Sequence, residues 1–331
     1  MLTLATATGV LLIPPGIYGD LSMRRRVFAD DAPLILRALD PADPPVIRSL
    51  ALRECRNVVC EGLVFAFTPK ATDLVEAPVI YLQKSSRITL RGGSISSGPA
   101  ISGALETDPG PAGAVIGRPL GMGVNIALGC SDILIEGVEI HHLFRGIGYT
   151  GDRITIRANR LHHFRKTAIL GGGNAVRIED NDIHSIQPWR WGQTPAGDHA
   201  DFIATWNGGA TPLRDIVIRR NHLTIGDGEP TLTGGWAQGK AGGIEGYTYA
   251  ENIHVGGAGM AHSMSDIHGG LVSGNIAVQD RLGPKNRLGI QLSEGCRDVV
   301  CRDNTLGFLI DKSAGKTGNI ITGTRLIQQA P

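Results

Sequence analysis

Along residues 151–184 the apolar positions recur in a fixed frame. Ile154, Ile156, Asn159 and Leu161 return about 22 residues later as Val176, Ile178, Asn181 and Ile183. A period of that length marks one supersecondary unit that cannot bury its apolar face alone and must stack on its neighbours. Within the unit, β-branched residues two apart and flanked by charges are strand segments with one face inward. The spacing predicts a parallel β-helix in which each phrase is one coil. The same frame is filled by Val58/Cys60/Leu63, Ile88/Leu90/Gly93 and Ile133/Ile135/Val138. Ile216/Ile218/Asn221, Gly270/Val272/Asn275 and Val299/Cys301/Asn304 continue it. Leu11 to Gly19 reads as a first coil turning through Pro-Pro-Gly, and Asn319 to Leu326 as a weaker last copy.

From Ile154 onward the turn position is repeatedly Asn: Asn159, Asn181, Asn221, Asn275 and Asn304. Identical amides at one turn of successive coils can form a ladder, and Asn tolerates left-handed turn geometry. The frame also places the cysteines. Cys55, Cys130 and Cys296 stand three residues before a first inward position, and Cys60 and Cys301 at the second. These are expected to be small buried packers, with neither disulfide nor metal role.

Between coils the spacing is irregular. Extra residues enter at about 96–123, 185–200, 226–242 and 279–287, with a smaller insertion at 205–212. Stacking sets equivalent positions above one another, so these insertions should wall one side of a single domain spanning residues 1–331.

Composition adjusts this picture in places. Gly is abundant at 46 residues and aromatics are 5% of 331, which suits many tight turns around a narrow core with little room for rings. A net charge of +1 gives no case for nucleic acid. The apolar run Val10 to Ile13 is too short to cross a bilayer, so no membrane insertion is expected. No signal peptide is evident. The chain is expected to be made in the cytoplasm and to act outside the cell or within a virion-like particle.

The candidate chemistry sits in the insertions. Trp189, Trp191 and Trp236 lie within them and Trp206 borders one; their indoles suit stacking on sugar rings or, alternatively, packing their own loops shut. Asp198, His199 and Asp201 bring two carboxylates and an imidazole within four residues, able to move a proton or bind a cation. The alternative is a loop charge and a turn-locking Asp. Lys240, Glu245 and Arg287 follow in later coils and could meet substrate charge. The remaining histidines, His141, His142, His162, His163, His184 and His222, share one place in the frame. That repetition argues for turn packing and against a metal cluster, and His-His neighbours should point to opposite faces of a strand. No metal site is expected, and no cofactor apart from a possible role for Ca²⁺ at the acidic patch. His262 and His268 have no assignment.

The Asp-Ile-x-Ile-x-x-Asn-x-Ile phrase resembles the repeat of the pectin-lyase-like superfamily. Ile13-Pro14-Pro15-Gly16-Ile17-Tyr18, Pro44-Pro45-Val46-Ile47, and His199-Ala200-Asp201-Phe202-Ile203 followed by Arg214-Asp215-Ile216-Val217-Ile218 resemble a subgroup found in proteobacterial carbohydrate-active proteins. The resemblance covers nearly the whole chain. It implies an all-β, single-stranded right-handed parallel β-helix with three strands per coil, and a polysaccharide partner. The Asp-Pro-His motif of epimerases is absent, as are the Arg-x-Pro-x-x-Arg of pectate lyases and the paired Asp of polygalacturonases. Fold alone does not transfer a reaction. Two functions are therefore expected from this stretch. One is cleavage of an acidic bacterial surface glycan, by a lyase or a hydrolase. The other is a non-catalytic spike or adhesin that anchors a phage or gene-transfer-agent particle to capsule. Family members usually carry an N-terminal helix cap that this sequence lacks. An uncapped end would expose strand edges, favouring a homotrimer or attachment to a larger particle.

Overall fold

The structure is a computed structural model that describes residues 9–70, 72–97, 119–189, 197–229, 233–257, 260–279, 288–313 and 318–327. The chain divides into two compact units, Met1–Arg165 and Lys166–Pro331. Among the described residues of each unit, almost all regular structure is strand and every pairing is parallel.

In the first unit one sheet runs through Gly9–Ile13, Leu34–Ala38, Arg56–Glu61, Ser86–Arg91, Ser131–Glu136 and Asp152–Arg157. Its register stacks Val58, Ile88, Ile133 and Ile154, and beside them Cys60, Leu90, Ile135 and Ile156. These are the inward positions that the sequence frame assigns, and all are buried. The second unit repeats the arrangement: Val176 opposes Ile216, and Ile178 opposes Ile218. From Met122–Ile126 onward each coil supplies three strands, as in Arg145–Tyr149, Asp152–Arg157 and Arg160–Phe164.

The asparagine turn works as a hydrogen-bonded row. In the second unit Asn181 donates its side-chain amide to Asn221, Asn221 to Asn252, Asn252 to Asn275 and Asn275 to Asn304, at 2.9–3.1 Å. Each Oδ1 also accepts the backbone N–H of the preceding rung. Asn159 plays the same part in the first unit, accepting from Val138 and donating to Ile135. Asn252 extends the row beyond the sequence expectation. Its coil carries Tyr247 and Tyr249 where others carry aliphatics, so the frame was hidden there.

This part of the second unit departs from the expectation of a core with little room for rings. Tyr247, Tyr249, Phe202, His254 and His262 are all buried. His262 stacks on Tyr249 with centroids 4.0 Å apart and shares a 2.8 Å hydrogen bond with the Tyr247 hydroxyl. Gly234 makes room for the His254 ring, which a Cβ there would meet at 2.5 Å. All five cysteines are free and buried, as the frame implies. Gly151 takes the place of those cysteines in its own coil, where a Cβ would meet the Cys130 carbonyl at 2.5 Å.

In the second unit the insertions enter at one corner, after Asp182–His184, His222–Thr224 and Ile276–Val278. They lead into Asp201–Trp206, Thr233–Gln238 and Gly289–Leu292. In the first unit, the insertion at 96–123 follows Ser94–Ser97 and lies mostly outside the described residues.

Candidate functional site

Strands Asp201–Trp206 and Thr233–Gln238 pair with Ala204 opposite Trp236 and Trp206 opposite Gln238. Alternation along a strand puts these four residues on one face. Thr205 and Ala237, on the other face, are fully buried. The next strand adds Ser263 and Ser265 in register with Trp236 and Gln238. On this face Ala204 is buried, Trp206 is exposed, and Trp236, Gln238, Ser263 and Ser265 are half-buried, so it offers solvent indole, amide and hydroxyl groups, which suit a hydroxyl-rich ligand.

Asp201 begins the first of these strands and is only 1% exposed. A carboxylate taken out of water needs compensating partners. The Trp236 indole Nε1 donates to its Oδ2 at 2.9 Å, and His199 Nδ1 lies 3.7 Å from the same oxygen. The His199 side chain is 74% exposed. One ring nitrogen therefore faces a buried carboxylate while the ring meets solvent, an arrangement able to take or give a proton.

Trp206, at the end of the strand, is 44% exposed. The Lys240 ammonium sits 4.7 Å from its ring centroid, a contact of about 0.5–1 kcal/mol at an exposed site. The bend after Trp206 is organised by Asn207, which sequence reasoning missed. Its Nδ2 donates to the carbonyls of Thr211 and Gly243, and its Oδ1 accepts the Gly209 N–H, all at 2.9 Å. The signal available was an Asn directly before Gly208-Gly209, a turn-forming sequence.

The other sequence candidates fall elsewhere. Asp198 closes the 185–200 insertion: its Oδ2 accepts the Trp189 N–H at 2.9 Å, and its own N–H reaches the Trp189 carbonyl at 2.8 Å. Trp189 is 7% exposed and so packs its loop instead of presenting a stacking face. Glu245 lies on the sheet of Leu213–Arg219, opposite Arg214, and ion-pairs with that arginine at 3.1 Å. Trp191 and Arg287 lie outside the described residues. Two of the expected four tryptophans, Trp206 and Trp236, therefore join His199, Asp201 and Lys240 on one strand pair and its margins.

The histidine expectation is corrected in one respect. His141 and His142 do not point to opposite faces, nor do His162 and His163. His142 and His163 have φ of +51° and +58°, and this left-handed turn brings each pair's Nδ1 atoms to 2.8 and 2.6 Å. His184 bonds Ser185 and His222 bonds Asp182, in keeping with turn packing.

No protein-family model and no curated protein matches the chain. Solved structures do. A family 28 exopolygalacturonase from Yersinia enterocolitica matches at TM-score 0.55 and 11% identity, over 96% of this chain and 73% of that one. A GH136 lacto-N-biosidase from Eubacterium ramulus matches at 0.47 and 10%, over 97% of this chain and 62% of that one. An exopolygalacturonase from Thermotoga maritima matches at 0.40 and 11%, over 96% and 84%. Parallel coils, an asparagine row and the first of these likenesses agree on the fold: this chain is a parallel β-helix.

Proposed function

We propose that this chain binds a polysaccharide on the outward face of strands Asp201–Trp206 and Thr233–Gln238, and that His199 and Asp201 cleave an acidic glycan there. The observation that carries the reading is Asp201. Its buried carboxylate joins the exposed imidazole of His199 to the indole of Trp236, beside an exposed Trp206 that carries a lysine ammonium. A sugar ring stacked on Trp206 would bring its carboxylate toward Lys240. In β-elimination His199 takes the proton from the carbon next to that carboxylate. The electron pair forms the new carbon–carbon double bond, the glycosidic carbon–oxygen bond breaks, and water protonates the leaving oxygen. Asp201 orients His199 and stabilises its protonated form. Hydrolysis on the same face would need a second carboxylate across the scissile bond.

Polygalacturonate and bacterial capsular glycans, incubated with the protein, test this through ultraviolet absorbance of unsaturated uronates and release of reducing ends. Product formation that His199→Ala and Asp201→Asn abolish, with folding intact, supports the reading. Binding without either signal makes the chain an anchor, of the spike or adhesin kind, that uses the same face. Neither binding nor cleavage overturns both. The same assays with Ca²⁺ and with EDTA test a calcium requirement at Asp198 and Asp201. Light scattering on the purified chain tests the trimer, against which a stable monomer would count.

A further inference from the structure

In the first unit, strands Glu139–Leu143 and Arg160–Phe164 pair in parallel with His141 opposite His162. Each strand then continues into a second histidine, His142 or His163, in the left-handed conformation. His is among the residues that enter this region most readily. In a flat strand the neighbouring rings would diverge; here the turn folds the second ring alongside the first. Between coils the rings stack in register. His141 and His162 lie 5.0 Å apart at 5°, and His142 and His163 4.7 Å apart at 4°. These separations are those of adjacent strands, so the coil repeat itself assembles a two-by-two block of imidazoles.

From the geometry we infer that His142, His162 and His163 form a binding site for one divalent transition-metal ion of the zinc class. One ring nitrogen from each of the three lies within 4.8 Å of the others. Tetrahedral coordination at about 2.0–2.1 Å per Zn–N bond sets ligand nitrogens about 3.3–3.4 Å apart. His142 is exposed and His163 half-buried, so side-chain rotation can close that difference without moving the coils. Imidazole nitrogen suits Zn²⁺, Ni²⁺ and Cu²⁺.

Two Nδ1 atoms at 2.6 Å, as in His162 and His163, can share one proton and no more. Glu139 stands behind this pair, its Oε1 3.2 Å from His162 Nε2. Arg160 holds the same carboxylate oxygen at 3.1 Å. A carboxylate on the far nitrogen of a ligating histidine is the usual outer partner of a metal-bound imidazole. The site stands in the first unit and is independent of the proposed glycan face.

The test uses the full chain free of any histidine tag, stripped with EDTA and titrated with ZnCl₂ by calorimetry, with Co²⁺ absorption as a spectroscopic report of coordination. Expected are one ion per chain and d–d bands of low-coordinate Co²⁺. His142→Ala and His163→Ala should each weaken Zn²⁺ at least tenfold. Glu139→Gln should weaken it about 10–100-fold. His222→Ala, in the second unit, should bind as wild type. His142 is exposed, so its variant is expected to fold, and circular dichroism checks this. Absence of saturable Zn²⁺ binding by the wild type would overturn the site, as would equal affinity in folded His142→Ala and His163→Ala.

Discussion

Removing a single rung from the amide row should destabilise the second unit far more than removing a charge beside it. Asn221 is the rung with the most complete set of partners. Its Oδ1 accepts both the backbone N–H and the side-chain amide of Asn181, at 3.1 and 2.9 Å. Its Nδ2 donates to Ile178 O at 2.9 Å, Asn252 Oδ1 at 3.0 Å and Arg219 O at 3.2 Å. In Asn221→Ala, Asn252 Oδ1 keeps the Asn221 backbone N–H, so that acceptor is not orphaned. The Asn181 N–H loses this acceptor, and the Ile178 carbonyl loses this donor, both in a buried setting. At about 1–3 kcal/mol for each buried group left unsatisfied, the loss from the two is about 2–6 kcal/mol. That is a large fraction of a typical stability margin of about 5–15 kcal/mol. Arg220, next in sequence, makes an exposed ion pair with Asp180 at 2.7 Å; exposed pairs of this kind contribute about 0–1 kcal/mol. Urea unfolding followed by circular dichroism compares Asn221→Ala with Arg220→Ala. With a slope of about 3 kcal/mol/M, the Asn221→Ala midpoint should fall by about 0.7–2 M and the Arg220→Ala midpoint by about 0.3 M or less. The double variant with Asn252→Ala should lose less than the sum, because the two share one bond. Equal midpoints for the two single variants would refute the row as a source of stability.

Other outcomes follow from burial and from the candidate face. Burial lowers His254 to about 4 and His262 to about 3, the latter with a smaller contribution from His254. Both are depressed below an unfolded value near 6.5, so the unfolded chain binds more protons below that pH. Their contribution is complete above about pH 6.5 and is lost as pH falls toward 4 and 3. Between pH 6 and 5 the two together should remove about 2 kcal/mol, read as a lower urea midpoint. His262→Phe should roughly halve that slope, and a flat profile from pH 7 to 5 would contradict the assignment. Burial pushes the Cys60 and Cys301 thiols up to about 12, so Ellman's reagent should find almost no reactive thiol in the native chain and five after denaturation. Trp206→Ala should weaken glycan binding at least tenfold by calorimetry, since stacking on an exposed indole is the proposed main contact. Lys240→Met should reduce the preference for acidic over neutral glycans and flatten its salt dependence, with neutral-glycan affinity little changed.

The scaffold was far more legible than the site, for a physical reason. A coil repeats its inward positions because each must pack on the same position above and below, so Ile154 and Ile156 announce Val176 and Ile178. Cysteines at Cys60 and Cys301 could be read as packers because they fill that frame. The frame failed at Tyr247 and Tyr249, where rings fill positions that aliphatic periodicity cannot foresee. Insertions have no repeat to be read against. Trp189 looked as available as Trp206; only the fold of its loop, pinned by Asp198, shows it turned inward. The histidine pairs were misread because their convergence depends on φ at His142 and His163, and residue identity does not fix φ.

The amide row also has a direction. From Asn181 to Asn304 every side chain hands its hydrogen the same way, so the dipoles align as in a wire with a donor pole and an acceptor pole. A rung cannot be turned over without placing two donors or two acceptors face to face. Coils can therefore be added or removed in whole units, provided each new amide keeps the same sense. Two such rows meeting end to end could join head to tail, whereas a two-fold arrangement would oppose like poles.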